Sequence, residues 1–194
     1  MKGQKTKVGL IFGGVSTEHD VSVVSASSVA RSIDTERFDP IFVGIDKNGK
    51  WLLGEGAFDA LSRGGRQGVE PVVLSTDPDK RGFLHLESGR LTSVDVIFPV
   101  LHGPRGEDGT IQGLFEMVGL RYVGSGVAAS ANGMDKDWMK RTLSASGLPG
   151  CRFVTVTARQ WSQQRDETLA RIEALGYPVF VKPARGGLTN TGYP

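Results

Sequence analysis

The sequence has few of the features that mark several common classes of protein. It contains one cysteine, Cys151, which excludes an internal disulfide and is typical of a reducing compartment. No apolar run approaches the roughly 20 residues of a membrane-spanning helix, and a net charge of +2 is too small to indicate a nucleic-acid surface. Three histidines without a repeated spacing do not form a zinc-binding pattern. We therefore expect a cytoplasmic protein that binds neither membrane nor nucleic acid.

The most informative segment is His102–Gly113, which reads HGPRGEDGTIQG. It lies between an apolar run, Val94–Val100, that predicts a buried strand and a run, Thr110–Val118, that predicts a helix. Ligands bind at the carboxyl ends of strands in open α/β sheets, and glycines let the backbone approach them closely. The alternative interpretation is a plain turn in which Glu107 and Asp108 cap the helix. Capping accounts for the two carboxylates but not for the histidine and the density of glycines.

Apolar runs separated by helical periodicity predict an α/β fold with a mostly parallel sheet. The expected strands of the sheet's centre are Val8–Phe12, Ile41–Ile45 and Val94–Val100. Helical periodicity covers 21–33, 110–118, 134–146 and 164–175, and short antiparallel pieces are expected at 51–53, 72–74, 83–86 and 90–92. We place the first domain at residues 1–131. Residues 132–194, with expected strands at 152–156 and 179–182, then begin a second domain that stays incomplete.

Segments along the whole chain resemble the D-alanine–D-alanine ligase family. Every fixed position of its motif His-Gly-x-x-Gly-Glu-Asp-Gly-x-Ile-Gln-Gly is filled in His102–Gly113, and Leu10–Ser22 (LIFGGVSTEHDVS) is similar to its opening strand and loop. Tyr122–Gly126, Met134–Lys136 and Val179–Pro183 resemble its next landmarks in the same order. The resemblance implies a Rossmann-like, pre-ATP-grasp N-terminal domain followed by the start of an ATP-grasp domain.

The resemblance also implies roles for individual residues. Glu18 would bind the ammonium of the first D-alanine and His102 would orient that substrate, with Gly13, Gly14 and Gly103 contributing to the same pocket. Without the motif, Glu18 is read as stabilising the dipole of the next helix, and His102 as a buried histidine at a strand end. His19 and His85 have no such context, and we expect them on the surface.

Two lysines belong to the nucleotide side of the resemblance. Lys136 and Lys182 would contact the phosphates of ATP, whose negative charge must be compensated during phosphoryl transfer. The family also uses Mg²⁺ and forms a homodimer through its N-terminal domain, but we recognise none of its magnesium ligands in this sequence and assign no metal-binding residue.

The match weakens after Gly187. The family continues with Ser-Ser-x-Gly, whereas this sequence has Leu188 in place of the first serine and ends six residues later. We therefore expect a chain shortened by a frameshift or an early stop, which does not join two D-alanines by itself. D-lactate or D-serine as second substrate stays open. The alternatives are a non-catalytic fragment that binds D-alanine weakly or pairs with intact ligase, and an unrelated nucleotide-binding α/β domain.

Overall fold

A computed structural model describes residues 4–186 of the chain. The chain divides into two compact units, and the boundary falls between Ala131 and Asn132. Each unit is described by itself below.

The first unit is built on one seven-stranded sheet. In chain order its elements are β1 (Thr6–Gly13), α1 (His19–Ser32), β2 (Phe38–Ile45), β3 (Trp51–Leu53), α2 (Ala57–Asp59), a π-helical turn (Ala60–Gly64), β4 (Glu70–Leu74), β5 (Gly82–His85), β6 (Leu91–Ser93), β7 (Val96–Leu101), α3 (Thr110–Met117) and α4 (Val127–Met134), the last of which contains the boundary between the units.

The strand order β6-β5-β4-β3-β2-β1-β7 puts β1 between two parallel neighbours. Gly13 at the end of β1 is in register with Ile45 of β2 and Leu101 of β7, so three strands end together at one edge. The four shorter strands extend the sheet in antiparallel fashion. The α/β class is thus confirmed, with the parallel part limited to β2, β1 and β7.

Apolar side chains of β1 point alternately to the two faces of the sheet, and both faces are buried. Leu10 and Phe12 pack on one face in a cluster with Ala26 of α1, while Ile11 lies in the other cluster with Phe115 of α3. All five side chains are fully buried. Because successive residues of a strand point to opposite faces, an unbroken apolar strand requires helices on both sides of the sheet. The loops that follow β1 and β7 lead directly into α1 and α3.

Two expectations about histidines are wrong. His19 and His85 are 2% and 1% exposed, although the sequence interpretation placed both on the surface. The Nδ1 atom of His19 lies 2.7 Å from the carbonyl oxygen of Gly14, and the Nε2 atom of His85 lies 2.8 Å from the hydroxyl of Thr92. Each buried ring has a polar partner that replaces the water it loses.

The second unit is helical in its described part, with α5 (Lys136–Ala145), α6 (Ala158–Gln163) and α7 (Arg165–Glu173). α5 and α7 confirm two predicted helices. The strands expected at 152–156 and 179–182 are wrong, since both segments are irregular. A strand needs a hydrogen-bonded neighbour, and among residues 132–186 the structure shows only an isolated bridge between Asp135 and Arg185. Phe180 and Val181 are accordingly 90% and 93% exposed.

The helices of residues 4–186 are too short or too polar for any of them to cross a lipid bilayer.

Candidate functional site

Two loops meet where the parallel strands end. The first loop, Gly14–Glu18, joins β1 to α1, and the second loop, His102–Gly109, joins β7 to α3. Since β1 and β7 are hydrogen-bonded neighbours, both loops leave the same edge of the sheet side by side. This edge is where an open α/β sheet binds ligands.

Glu18 occupies the boundary between the two loops. Its side chain is 7% exposed, and its carboxylate lies against the backbone of Gly103. A Cβ atom added to Gly103 would come within 2.4 Å of the Glu18 Oε2 atom, and the φ of Gly103 is +74°. Glycine at this position is therefore what lets a carboxylate approach the second loop. The structure thus brings Glu18 next to the residue that follows His102.

His102 begins the second loop with a partly exposed ring. Its Nε2 atom lies 3.3 Å from the Ser25 hydroxyl of α1, and its Nδ1 atom lies 4.0 Å from the Glu107 carboxylate. Glu107 also accepts a hydrogen bond of 2.7 Å from the Gly103 N–H. Glu107 thus organises the loop around His102, which differs from the helix-capping role expected for it.

Asp108 supports the start of α3. Its carboxylate accepts hydrogen bonds from the N–H groups of Arg105 at 2.9 Å and Thr110 at 3.0 Å. Burial by itself would raise the pKa of Asp108, but the hydrogen bonds from Arg105 and Thr110 outweigh it and lower that pKa below its ordinary value. Gly109 occupies the N-cap position, so Asp108 accepts these hydrogen bonds from one residue before the N-cap.

Replacing Asp108 by Asn is expected to lower the free energy of unfolding by about 1 kcal/mol at neutral pH. The amide retains one acceptor oxygen and places an NH₂ group where the second N–H needs an acceptor. Because the folded-state pKa of Asp108 is lowered, its contribution is present above the ordinary aspartate pKa of about 4 and is lost as the pH falls through the folded-state value. Urea unfolding at neutral pH and near pH 3 measures this difference.

The matched control is Asp39→Asn, at an exposed carboxylate of β2. We expect it to leave stability nearly unchanged at both pH values. An Asp108→Asn effect equal at both pH values would contradict the assignment.

A pocket of about 390 Å³ opens beside the two loops. Its lining includes three residues of the expected site, Gly13, Gly14 and His102, together with Ser16 of the first loop. The remaining lining is mainly apolar and comes from Val15, Ile45, Trp51, Leu101, Pro104, Ile111 and Leu114, with Gly49, Arg105, Gly106 and Thr110. Most of the polar lining thus lies on the two loops, and Thr110 at the start of α3 adds one further hydroxyl.

Two serine side chains that the sequence interpretation did not single out connect the backbone around the site. The Ser16 hydroxyl donates a hydrogen bond of 2.8 Å to the His102 carbonyl. The Ser22 hydroxyl donates to the Val100 carbonyl and accepts from the Gly13 N–H. The only sequence signal for these residues was their place in the segment that resembles the family's opening loop.

The nucleotide-side lysines both lie in the second unit. The Lys136 ammonium donates a hydrogen bond of 2.8 Å to the Gly186 carbonyl, and Lys182 is exposed. Next to Lys136, Asp135 forms an ion pair of 2.8 Å with Arg185, which lowers the pKa of Asp135. These contacts hold the segment that follows Lys182 against the start of α5. Leu188, at which the sequence interpretation places the departure from the family's pattern, lies outside the described residues.

Within residues 4–186, no three His, Cys, Asp or Glu side chains are grouped closely enough to hold a metal ion. The described residues therefore include no cluster of such ligands for Mg²⁺.

Two family descriptions match the chain. Residues 7–125 match the family model of the D-ala D-ala ligase N-terminus, and residues 142–189 match that of the D-ala D-ala ligase C-terminus. The first match alone covers more than half of the chain. The chain belongs to the D-alanine–D-alanine ligase family.

The curated relatives that this chain matches are longer than the chain. The D-alanine–D-alanine ligase of Mycobacterium tuberculosis (strain H37Rv) is 47% identical to this chain over an alignment 198 residues long. The alignment covers 96% of this chain and 52% of the relative. The corresponding ligase of Caldicellulosiruptor bescii is 44% identical and is covered to 51%. This member of the ligase family thus spans about half the length of the curated relatives it matches.

Solved structures of ligases share its fold. The VanG D-Ala:D-Ser ligase from Enterococcus faecalis has a TM-score of 0.77 and 40% identity, with 95% of this chain and 53% of that chain covered. The D-alanine–D-alanine ligase from Coxiella burnetii has a TM-score of 0.76 and 32% identity, with coverages of 88% and 49%.

Proposed function

We propose that this chain takes part in the ATP-dependent joining of two D-alanines and that its first unit binds the first of them. One observation carries the proposal. The buried carboxylate of Glu18 lies against Gly103, between two glycine-containing loops at the carboxyl ends of adjacent parallel strands. In the ligase family, this region of the sequence carries the substrate-binding motif.

The chemistry of Glu18 suits an amino acid's ammonium group. A buried carboxylate gains most from a ligand whose positive charge stays close to it after both have lost water. We propose that this ammonium contacts Glu18, while Gly13, Gly14 and Gly103 let the backbone come close to a substrate with only a methyl side chain. His102 would orient the substrate from the second loop, with Glu107 and Ser25 fixing its ring.

The proposed reaction has two steps. The carboxylate of the first D-alanine attacks the γ-phosphorus of ATP, forming an acyl phosphate and releasing ADP. The amine of the second D-alanine then attacks the acyl carbon. A C–N bond forms, the C–O bond between the acyl carbon and the phosphate breaks, and inorganic phosphate and a proton leave. Glu18 acts in both steps by holding the first substrate in place, which lowers the entropic part of each barrier.

The second unit would supply part of the ATP site. We propose that residues 1–131 form the N-terminal ligase domain and that residues 132–194 begin the ATP-grasp domain, with Lys136 and Lys182 contacting phosphates. The Lys136 ammonium contacts Gly186 in the segment that follows Lys182, and Arg185 of the same segment pairs with Asp135. Their positive charges suit the phosphates of a nucleotide.

For the second substrate we propose D-alanine. The curated relatives named above are D-alanine–D-alanine ligases at 44% and 47% identity, whereas the VanG structure is that of a D-Ala:D-Ser ligase at 40%. Membership of the ligase family favours this function over an unrelated nucleotide-binding domain. A homodimer through the first unit, and the absence of synthesis by the 194 residues alone, stay predictions.

Calorimetric titration with D-alanine and L-alanine tests the binding proposal. We expect D-alanine to bind at least about tenfold more tightly, because a site that fixes both the ammonium and the carboxylate would receive the methyl groups of the two enantiomers in different positions. Equal affinity for the two enantiomers, or the absence of D-alanine binding at millimolar concentration, would contradict the proposal.

A further inference from the structure

The Ser16 hydroxyl connects the main chains of Glu18 and His102. It accepts a hydrogen bond of 3.1 Å from the Glu18 N–H and donates one of 2.8 Å to the His102 carbonyl oxygen. One hydroxyl therefore touches the backbone of both residues assigned to the first D-alanine. A serine can do this because its oxygen accepts one hydrogen bond while its proton is donated in another.

The two bonds restrict how far the loops can separate. Glu18 belongs to the first loop and His102 to the second, and the Glu18 side chain also approaches the backbone of Gly103. A side-chain approach constrains the Glu18 main chain less directly than a hydrogen bond to its N–H. A hydroxyl bonded to both backbones keeps the Glu18 N–H and the His102 carbonyl oxygen within the span of two hydrogen bonds.

Ser22 provides a contrast on the same pair of strands. Its hydroxyl bridges the Gly13 N–H and the Val100 carbonyl, one layer deeper, and the residue is 0% exposed. Removal of the Ser22 hydroxyl would leave two buried backbone groups without partners, which lowers stability. Ser16 is only half-buried and borders the pocket, so water can replace its hydroxyl without a comparable loss of folding stability.

We propose that Ser16 is a positioning residue that sets the distance between Glu18 and His102 for the first D-alanine. This inference rests on the proposed function. Ser16 acts through the backbones of the two residues and does not itself exchange a proton or bond with the substrate. Its loss removes this link between the two loops, so the substrate finds its two partners in the correct arrangement for a smaller part of the time.

The test compares Ser16→Thr with Ser16→Val. Threonine and valine have nearly the same shape, but only threonine keeps the hydroxyl. We expect Ser16→Val to bind D-alanine about tenfold more weakly than the natural chain, and Ser16→Thr to bind within about twofold of it. Both variants should unfold at nearly the same temperature as the natural chain.

Amide hydrogen exchange without ligand gives a second readout. The Glu18 amide should exchange about tenfold faster in Ser16→Val than in Ser16→Thr, because its acceptor is lost. Equal exchange in the two variants would overturn the bridge. Faster exchange with equal D-alanine affinity would overturn the positioning role.

The two readouts also separate this inference from the proposed function. If the natural chain does not bind D-alanine, the proposed function fails, and the positioning role for that substrate falls with it. The exchange contrast still decides whether the Ser16 hydroxyl joins the loops.

Discussion

Replacement of Glu18 by Gln is expected to weaken D-alanine binding by about 100-fold. The substitution keeps the shape of the side chain and removes the negative charge that lies between the two loops. Loss of one partner from a desolvated charge pair costs about 2–5 kcal/mol, and each 1.4 kcal/mol is tenfold in affinity. Calorimetric titration of both proteins with D-alanine at one pH and salt concentration gives the ratio of dissociation constants.

The control for charge is Glu87→Gln. Glu87 is exposed in the turn between β5 and β6, far along the strand order from β1 and β7. We expect it to leave the dissociation constant unchanged within about twofold. If Glu18→Gln bound D-alanine as tightly as Glu87→Gln while remaining folded, the role assigned to Glu18 would be wrong.

Substitution of Gly13 by Ala should have the largest effect on stability. A Cβ atom there would lie 2.2 Å from the Ile45 carbonyl oxygen and 2.6 Å from the Leu61 side chain, and the φ of Gly13 is +91°. Relief of this overlap requires the ends of β1 and β2 to separate. We expect the free energy of unfolding to fall by about 3 kcal/mol or more, as measured by urea denaturation.

Comparison with Gly14→Ala separates the effect of steric overlap from that of backbone strain. Its φ is +97°, similar to that of Gly13, but the nearest atom to an added Cβ is 3.6 Å away in the Leu101 side chain. Only the strain should remain, which costs about 1–2 kcal/mol. A loss at Gly13 no larger than that at Gly14 would contradict the close approach of β1 and β2.

The order of elements in the first unit followed from local patterns in the sequence. The apolar runs that end at Phe12, Ile45 and Val100 have a length and composition typical of buried strands, and the glycines behind the first and third mark the loops. Parallel strands then require that these loops lie at one edge. For this reason, the neighbourhood of Glu18 and His102 could be predicted before their contacts were known.

The misplaced elements depend on contacts between distant residues. Val179–Lys182 has the composition of a strand, but no strand among the described residues pairs with it. Composition alone is therefore not sufficient to predict a strand there. His85 is polar and lies beside a turn, yet Glu70 and Thr92 from other strands accompany its buried ring. A single sequence does not show which polar partner a distant strand will provide.

The serine bridges show the same limit inside the site. Both serines belong to the segment that resembles the family's opening loop, but their bonds to Val100 and His102 span 78 and 86 residues. Nothing in the local pattern distinguishes them from the exposed serines of α1. The sequence thus indicated which two loops meet, and the structure adds how they are held together.

The most direct test of the central claim is the location of bound D-alanine by intermolecular nuclear Overhauser effects. With methyl-labelled D-alanine and the isotope-labelled chain, we predict contacts from the methyl group to amide protons of both Gly14–Glu18 and His102–Gly106. Contacts confined to one loop, or located at the groove formed by Arg81, Asp95 and Arg121, would contradict a D-alanine site between the loops.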